Sequence, residues 1–149
     1  GDGMNRNYAS CKLSGDDERI HLKSTYGSQF TVSPDGDWLA FVDLHNVYIA
    51  SFPMTGKTLD IGSNSEDIPV KKVSRDAGLN LHWIGDSKEL HYTLGNEYYT
   101  IKIEDRFDFV AGKADSLFKM PEHGATIKLR AKVDKPKGVV AFKNAKIIT

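Results

Sequence analysis

The stretch Phe30–Phe52, FTVSPDGDWLAFVDLHNVYIASF, decides how the rest of the chain is read. At its head Pro34 fixes φ for the first turn position, Asp35 has a side chain able to bond its own backbone, and Gly36 tolerates the positive φ that closes a tight turn. Ser33-Pro34-Asp35-Gly36 is therefore a hairpin turn. Apolar residues alternate on both sides of it, Phe30 and Val32 before and Leu39 and Phe41 after, which is the period of paired strands. Asn46 interrupts the run, and Val47-Tyr48-Ile49-Ala50-Ser51-Phe52 supplies a third β-branched and aromatic segment. A three-strand meander is expected.

Working outward, Tyr8–Leu13 and Arg19–Thr25 read as a hairpin around the turn residues Ser14-Gly15-Asp16-Asp17. Met54–Asp67 is rich in Thr, Gly, Ser, Asn and Asp and reads as loop. Ile68–Ser74 has the Pro69 and paired lysines suited to an edge strand. The chain then repeats: Leu81–Ile103 lies over Phe30–Phe52 without gaps at an offset of 51 residues, so Asp86 falls on Asp35, Leu90 on Leu39, Tyr92 on Phe41 and Tyr99 on Tyr48. Turns fall on turns. Pairing Trp83 with Leu90 puts Leu79, Leu81, Trp83, Leu90, Tyr92 and Leu94 on one face as core, and places His82 across from His91 on a polar face with Asn80, Glu89 and Thr93. Ala125–Val133 alternates as a further strand, and no segment carries a helix period. The expected class is all-β, built of antiparallel four-stranded units in an incomplete propeller of two to three blades. Residues 1–27 would end one blade, 28–75 form a complete blade, 76–124 form a second with an irregular end, and 125–149 lead into a further domain.

Composition bounds the function. Twenty basic and twenty acidic side chains in 149 residues cancel, so no whole-molecule field favours nucleic acid or anionic membranes. Cys11 stands alone, which removes intrachain disulfides and cysteine-rich metal sites. No stretch has the length and apolarity of a membrane span, and Gly1–Asn7 lacks the apolar centre of a signal peptide, as in a piece cut from a longer protein.

SPDGDWLAF followed by NVYIASF resembles the TolB-type, WD-repeat-like propeller blade, matching it at Ser33, Pro34, Asp35, Gly36, Leu39, Ala40 and Phe41. The second copy departs from that pattern, with Gly85, Asp86 and Ser87 in place of Pro, Asp and Gly. DKPKGVVAFKNAKIIT is similar to the opening of an amidohydrolase catalytic half, through Gly138, Ala141, Phe142, Asn144, Ala145, Ile147, Ile148 and Thr149. The resemblance implies a non-catalytic propeller segment of a larger, amidohydrolase-like hydrolase, periplasmic or secreted, serving interaction or substrate gating. Its partners would be the remaining blades, the downstream domain, another protein, or a second copy covering exposed blade faces. It implies no cofactor in this chain, with metal ions belonging to the catalytic domain. The alternatives are a TolB-like protein-binding module or the propeller of a prolyl-oligopeptidase-type serine peptidase.

No catalytic residue is assigned. The histidines offer no H-x-H or H-E-x-x-H spacing, and no serine sits in a G-x-S-x-G elbow. His82 and His91 read as an interstrand packing pair, with metal binding or pH sensing as the sharper alternative. Asp35 and Asp86, recurring at equivalent turns, read as structural caps alongside Ser33, Pro34 and Gly36. Trp38, Tyr48, Trp83, Tyr98 and Tyr99 read as filling between sheets, with an aromatic binding surface as the alternative.

Overall fold

The computed structural model describes residues 5–52, 56–107, 118–133, 135, 137, 138, 141, 143, 144 and 146. Among the described residues the chain is all-β apart from one helical turn. β1 (Arg6–Ser10) and β2 (Arg19–Ser24) form the first hairpin. β3 (Gly27–Val32), β4 (Trp38–Asp43) and β5 (Asn46–Ser51) form the meander. β6 (Leu59–Asp60) and β7 (Val70–Lys72) follow, then β8 (Leu79–Trp83), β9 (Glu89–Leu94), β10 (Glu97–Lys102), the turn α1 (Ile103–Arg106) and β11 (Ala125–Thr126). These make one three-stranded sheet, β1-β2-β6, and two four-stranded antiparallel sheets, β3-β4-β5-β7 and β8-β9-β10-β11.

The two four-stranded sheets are copies of one another down to their backbone irregularities. Positive φ occurs at Gln29, Gly36 and Leu44 in the first and at Asn80, Ser87 and Gly95 in the second, each pair separated by the same 51 positions. Gln29 and Asn80 mark matching register shifts, between Ser28 and Thr31 and between Leu79 and His82. Such shifts insert an extra residue and bend the strand. The turns match as well: Gly36 N–H bonds Ser33 O at 2.9 Å, and Ser87 N–H bonds Ile84 O at 3.0 Å. At the far end of each unit Phe52 N–H bonds Asp37 O at 2.7 Å, and Ile103 N–H bonds Lys88 O at 2.9 Å.

The three sheets stack in one direction. β4 sits in the middle layer and is buried on both faces, which explains its continuous run Leu39-Ala40-Phe41-Val42. Leu39, Phe41 and Ala50 pack with Leu22, Phe52, Ile61 and Ile68 against the first sheet. Ala40, Val42, Val47 and Ile49 pack against Leu90, Tyr92, Tyr99 and Ile101 of the third. Each layer thus offers its Leu39-type face to the layer before it. Two hydrogen bonds tie the copies directly: Trp83 Nε1–H donates to Thr31 O at 3.1 Å, and Asn80 N–H donates to Gln29 Oε1 at 2.9 Å.

Four expectations change. Leu79 leaves the core and is 52 % exposed, because the bulge at Asn80 shifts its pairing to Thr93 and reverses its face. Within the expected loop after β5, Leu59–Asp60 pairs parallel with β2, a contact that depends on the hairpin being in place. Among the described residues helical geometry appears as one turn, Ile103–Arg106, with Ile103 buried beneath it. Of the expected strand Ala125–Val133, Ala125–Thr126 pairs with β10 and Ile127 N–H bonds Asn96 O at 2.7 Å; Ile127, Leu129 and Val133 alternate in sequence, yet all are exposed. Of the amidohydrolase-like stretch, Val139, Val140, Phe142, Ala145, Ile147, Ile148 and Thr149 lie outside the described residues.

Candidate functional site

The end of the stack that carries the two equivalent turns brings Asp35, Asp86, Lys88, Glu89 and Lys102 together. In the first turn the buried Ser33 hydroxyl works in both directions, donating to Asp35 Oδ1 at 2.5 Å and accepting Trp38 N–H at 3.0 Å. Asp35 Oδ1 also accepts Asp37 N–H at 3.1 Å. Partial burial pushes the Asp35 carboxyl up, but the bonds from Ser33, Asp37 and Ser87 outweigh it and hold the group below its ordinary value. Asp35 is therefore an ionised cap at neutral pH. In the second turn Ile84 stands where Ser33 stands and has no hydroxyl to give, so among the described residues Asp86 Oδ1 keeps only the Lys88 N–H, at 3.1 Å.

The two turns touch. Asp35 N–H donates to Ser87 Oγ at 3.0 Å, so the serine that replaces the motif glycine becomes the bridge between the copies. Beside that contact lies a cavity of about 480 Å³ whose wall includes Asp35, Asp86, Glu89, Lys88, Lys102 and Trp38. Carboxylates and ammonium groups share it, which suits a polar, zwitterionic or peptide-like ligand. Lys102 is a functional candidate that sequence reasoning missed; it is paired directly with Glu89, which the sequence placed beside the histidines, and only the register of β10 on β9 brings the two together.

The histidine pair forms as expected. His82 and His91 are paired across β8 and β9, their rings stacked at 5.3 Å and 17°. Asn80 O lies 3.1 Å from His82 Nδ1; a carbonyl only accepts, so Nδ1 carries hydrogen, and Tyr98 OH lies 2.9 Å from Nε2. Thr100 Oγ1 lies 3.0 Å from His91 Nδ1, while buried Nε2 has no hydrogen-bond partner among the described residues and stands 3.6 Å from Glu89 Oε2. Burial, then the neighbouring His82, lower the His91 basicity against the opposing pull of Glu89. The stacked rings point their nitrogens to separate partners. Among the described residues no three His, Cys, Asp or Glu side chains come together in a group that could hold a metal ion.

The five aromatic candidates are distributed between layers. Trp38 packs on Phe107 at 4.7 Å, Tyr99 lies flat on Tyr92 at 4.9 Å, and Trp83 reaches Thr31 O, all in the core between the four-stranded sheets. Tyr48 stacks on Phe41 at 5.5 Å in the other core. Tyr98 alone joins the histidines, 5.1 Å from the His91 ring. Among the described residues no helix is long and apolar enough to cross a membrane.

Comparison of the chain with protein-family models, with curated proteins and with solved structures returns no match.

Proposed function

We propose that the two four-stranded sheets are neighbouring blades of a TolB-type, WD-repeat-like β-propeller, and that this chain is the non-catalytic propeller portion of a larger hydrolase of the amidohydrolase kind. The observation that carries the reading is the one-directional stacking of two copies 51 residues apart, joined through equivalent turns by the bond from Asp35 to Ser87. A unit that buries one face on its predecessor and offers the other to its successor is how blades are assembled around a ring. The role assigned is interaction, or gating of access to a catalytic domain, in a periplasmic or secreted parent protein. Metal chemistry, on this reading, resides in that domain.

A second reading, a TolB-like protein-binding module, is favoured by the charged cavity beside the two turns, which offers both signs of charge to a partner segment. A polypeptide extended in both directions along the natural reading frame separates the two. The hydrolase reading expects a His-x-His strand soon after Thr149, metal-dependent hydrolysis of amides by the extended polypeptide, and a ring with a central channel by electron microscopy. An extended polypeptide with neither the motif nor turnover would overturn it, and a G-x-S-x-G elbow in its place would assign the propeller to a serine peptidase.

A further inference from the structure

The neutrality of the whole chain conceals a segregation of charge. Residues 125–149 carry seven of the twenty basic side chains and one of the twenty acidic ones, a net +6, which leaves thirteen basic and nineteen acidic in residues 1–124, a net −6. The basic part leaves the fold as an arm. β11 pairs with the start of β10, and Ile127 N–H reaches Asn96 O in the turn between β9 and β10. Beyond that bond, residues 128–133 run past the end of the sheet with no paired strand among the described residues.

The composition of the arm specifies a partner with two kinds of surface. Ile127, Leu129 and Val133 fall in one phase of the alternation and Lys128, Arg130 and Lys132 in the other, so an extended backbone sets cations about 7 Å apart on one side and apolar groups on the other. Leu129 and Val133 are 90 % and 72 % exposed, and every residue from 125 to 133 faces solvent. Two arms cannot satisfy each other: antiparallel pairing about Arg130 sets Arg130 opposite Arg130 and Lys128 opposite Lys132, and like charges directly opposite destabilise a pair. Nucleic acid fits poorly as well, because residues 125–133 hold no aromatic side chain for base stacking and the net −6 of the remaining chain repels a polyanion.

A surface of the required kind lies at the same end of the stack. Leu44, in the turn from β4 to β5, and Leu79, at the start of β8, are 65 % and 52 % exposed, and the bond from Gly78 N–H to His45 O holds their two segments together. The β9–β10 turn from which the arm departs is the counterpart of the Leu44 turn 51 positions on, and Leu79 pairs with Thr93 close to it. Three residues before Leu79, Asp76 shares the Arg75 guanidinium with Glu122, each at 3.9 Å, and all three side chains are more than half exposed. Two carboxylates on one guanidinium leave a net negative charge. An end that both emits a cationic strand and carries an acidic, apolar patch is self-complementary about a twofold axis. We propose that two copies of this chain meet end to end, the arm 127–133 of each crossing to the patch of Leu44 and Leu79 on the other, with its cations beside Asp76 and Glu122. The surface stands on charge and exposure in this chain and is independent of the hydrolase reading.

Sedimentation velocity of the full chain tests this. A reversible dimer is expected at chain concentrations up to about 1 mM, the weak end of specific association. Its Kd should rise at least about tenfold between roughly 0.1 and 1 M NaCl, as the screening length falls from about 10 Å to about 3 Å. The decisive arm is a charge exchange. One variant carries Lys128→Glu, Arg130→Glu and Lys132→Glu, the other Asp76→Lys and Glu122→Lys, all at exposed positions. Each variant alone is expected to stay monomeric where the parent dimerises, and a one-to-one mixture, in which every arm again meets a patch of opposite sign, is expected to dimerise. Leu79→Asp should weaken the parent dimer about tenfold and reads the apolar half of the contact without touching the arm. The proposal fails if the parent is monomeric throughout, if its dimer ignores salt and both charge variants, if the mixture stays monomeric, or if the three cations bind a single-stranded oligonucleotide more tightly than a second copy.

Discussion

Gly78 offers the sharpest test of how the two copies meet. It lies between β7 and β8, its N–H bonded to His45 O at 3.1 Å, and a Cβ added there would stand 2.3 Å from Val47 Cγ2 and 2.7 Å from Tyr92 Cδ2. Val47 belongs to one sheet and Tyr92 to the other, and both are fully buried. Neither yields easily: Val47 N–H is held by Ser74 Oγ at 2.8 Å, and the Tyr92 ring lies flat on Tyr99 with its hydroxyl on Val73 O at 3.3 Å. Overpacking of this kind costs about 1–3 kcal/mol. The stiffer unfolded chain of an alanine variant returns about 0.4–1 kcal/mol. Gly78→Ala is therefore expected to lose about 1–2 kcal/mol in urea unfolding, a fall of several degrees in Tm at roughly 2–4 °C per kcal/mol for a chain of this size. Because Val47 Cγ2 is the nearest obstacle, Val47→Ala combined with Gly78→Ala should cost less than the sum of the two, by at least about 0.5 kcal/mol. Unchanged stability of Gly78→Ala, or strict additivity in the double variant, would refute the packing of the two sheets at this point.

Ser33→Ala removes both the donor to Asp35 and the acceptor for Trp38 N–H, and should cost about 1–2 kcal/mol by chemical unfolding, whereas Asp86→Ala, losing one exposed bond, should cost less. Leu44 holds φ at 56° while 65 % exposed, where the second copy has Gly95 at 59°; Leu44→Gly should relieve about 1 kcal/mol of backbone strain and raise Tm by a few degrees, and a lower Tm would contradict that conformation. His91 has its basicity lowered in the fold, so the native state binds fewer protons than the unfolded chain. Stability from this group is fully present above the unfolded value near 6.5 and is lost as pH falls below it, and His91→Gln should flatten that part of the stability–pH profile.

How much of this was legible in the sequence depended on whether a feature leaves a local mark. Ser33-Pro34-Asp35-Gly36 does, because each residue type has its own reason to be in a turn, and the recurrence of Asp86 51 positions later exposed the repeat. The strands β4, β5 and β9 were readable for the same reason, since β-branched and aromatic residues mark them locally, whereas the burial of β4 on both faces follows from the sheets stacked on either side of it. Leu79 was misplaced because a bulge at Asn80 leaves the pattern of residue types intact while reversing the face. β6 is two residues long and joins a sheet formed much earlier in the chain, so no periodicity announces it. Ile127, Leu129 and Val133 show the converse, an alternating pattern with no buried face in the described structure. The histidine pair followed from strand parity, but the partners of each ring nitrogen did not. The cavity beside the two turns lies where segments distant in sequence meet.

The most direct test of the account is a measurement of through-space contacts across the two copies in solution. In a nuclear Overhauser experiment the indole N–H of Trp83 should show cross-peaks to the backbone of Thr31, and the Gly78 α-protons to the methyls of Val47 and the ring of Tyr92. Those contacts require the sheets to be stacked in the order and direction described. Cross-peaks confined within each sheet, with none linking residues 27–52 to residues 78–103, would contradict it.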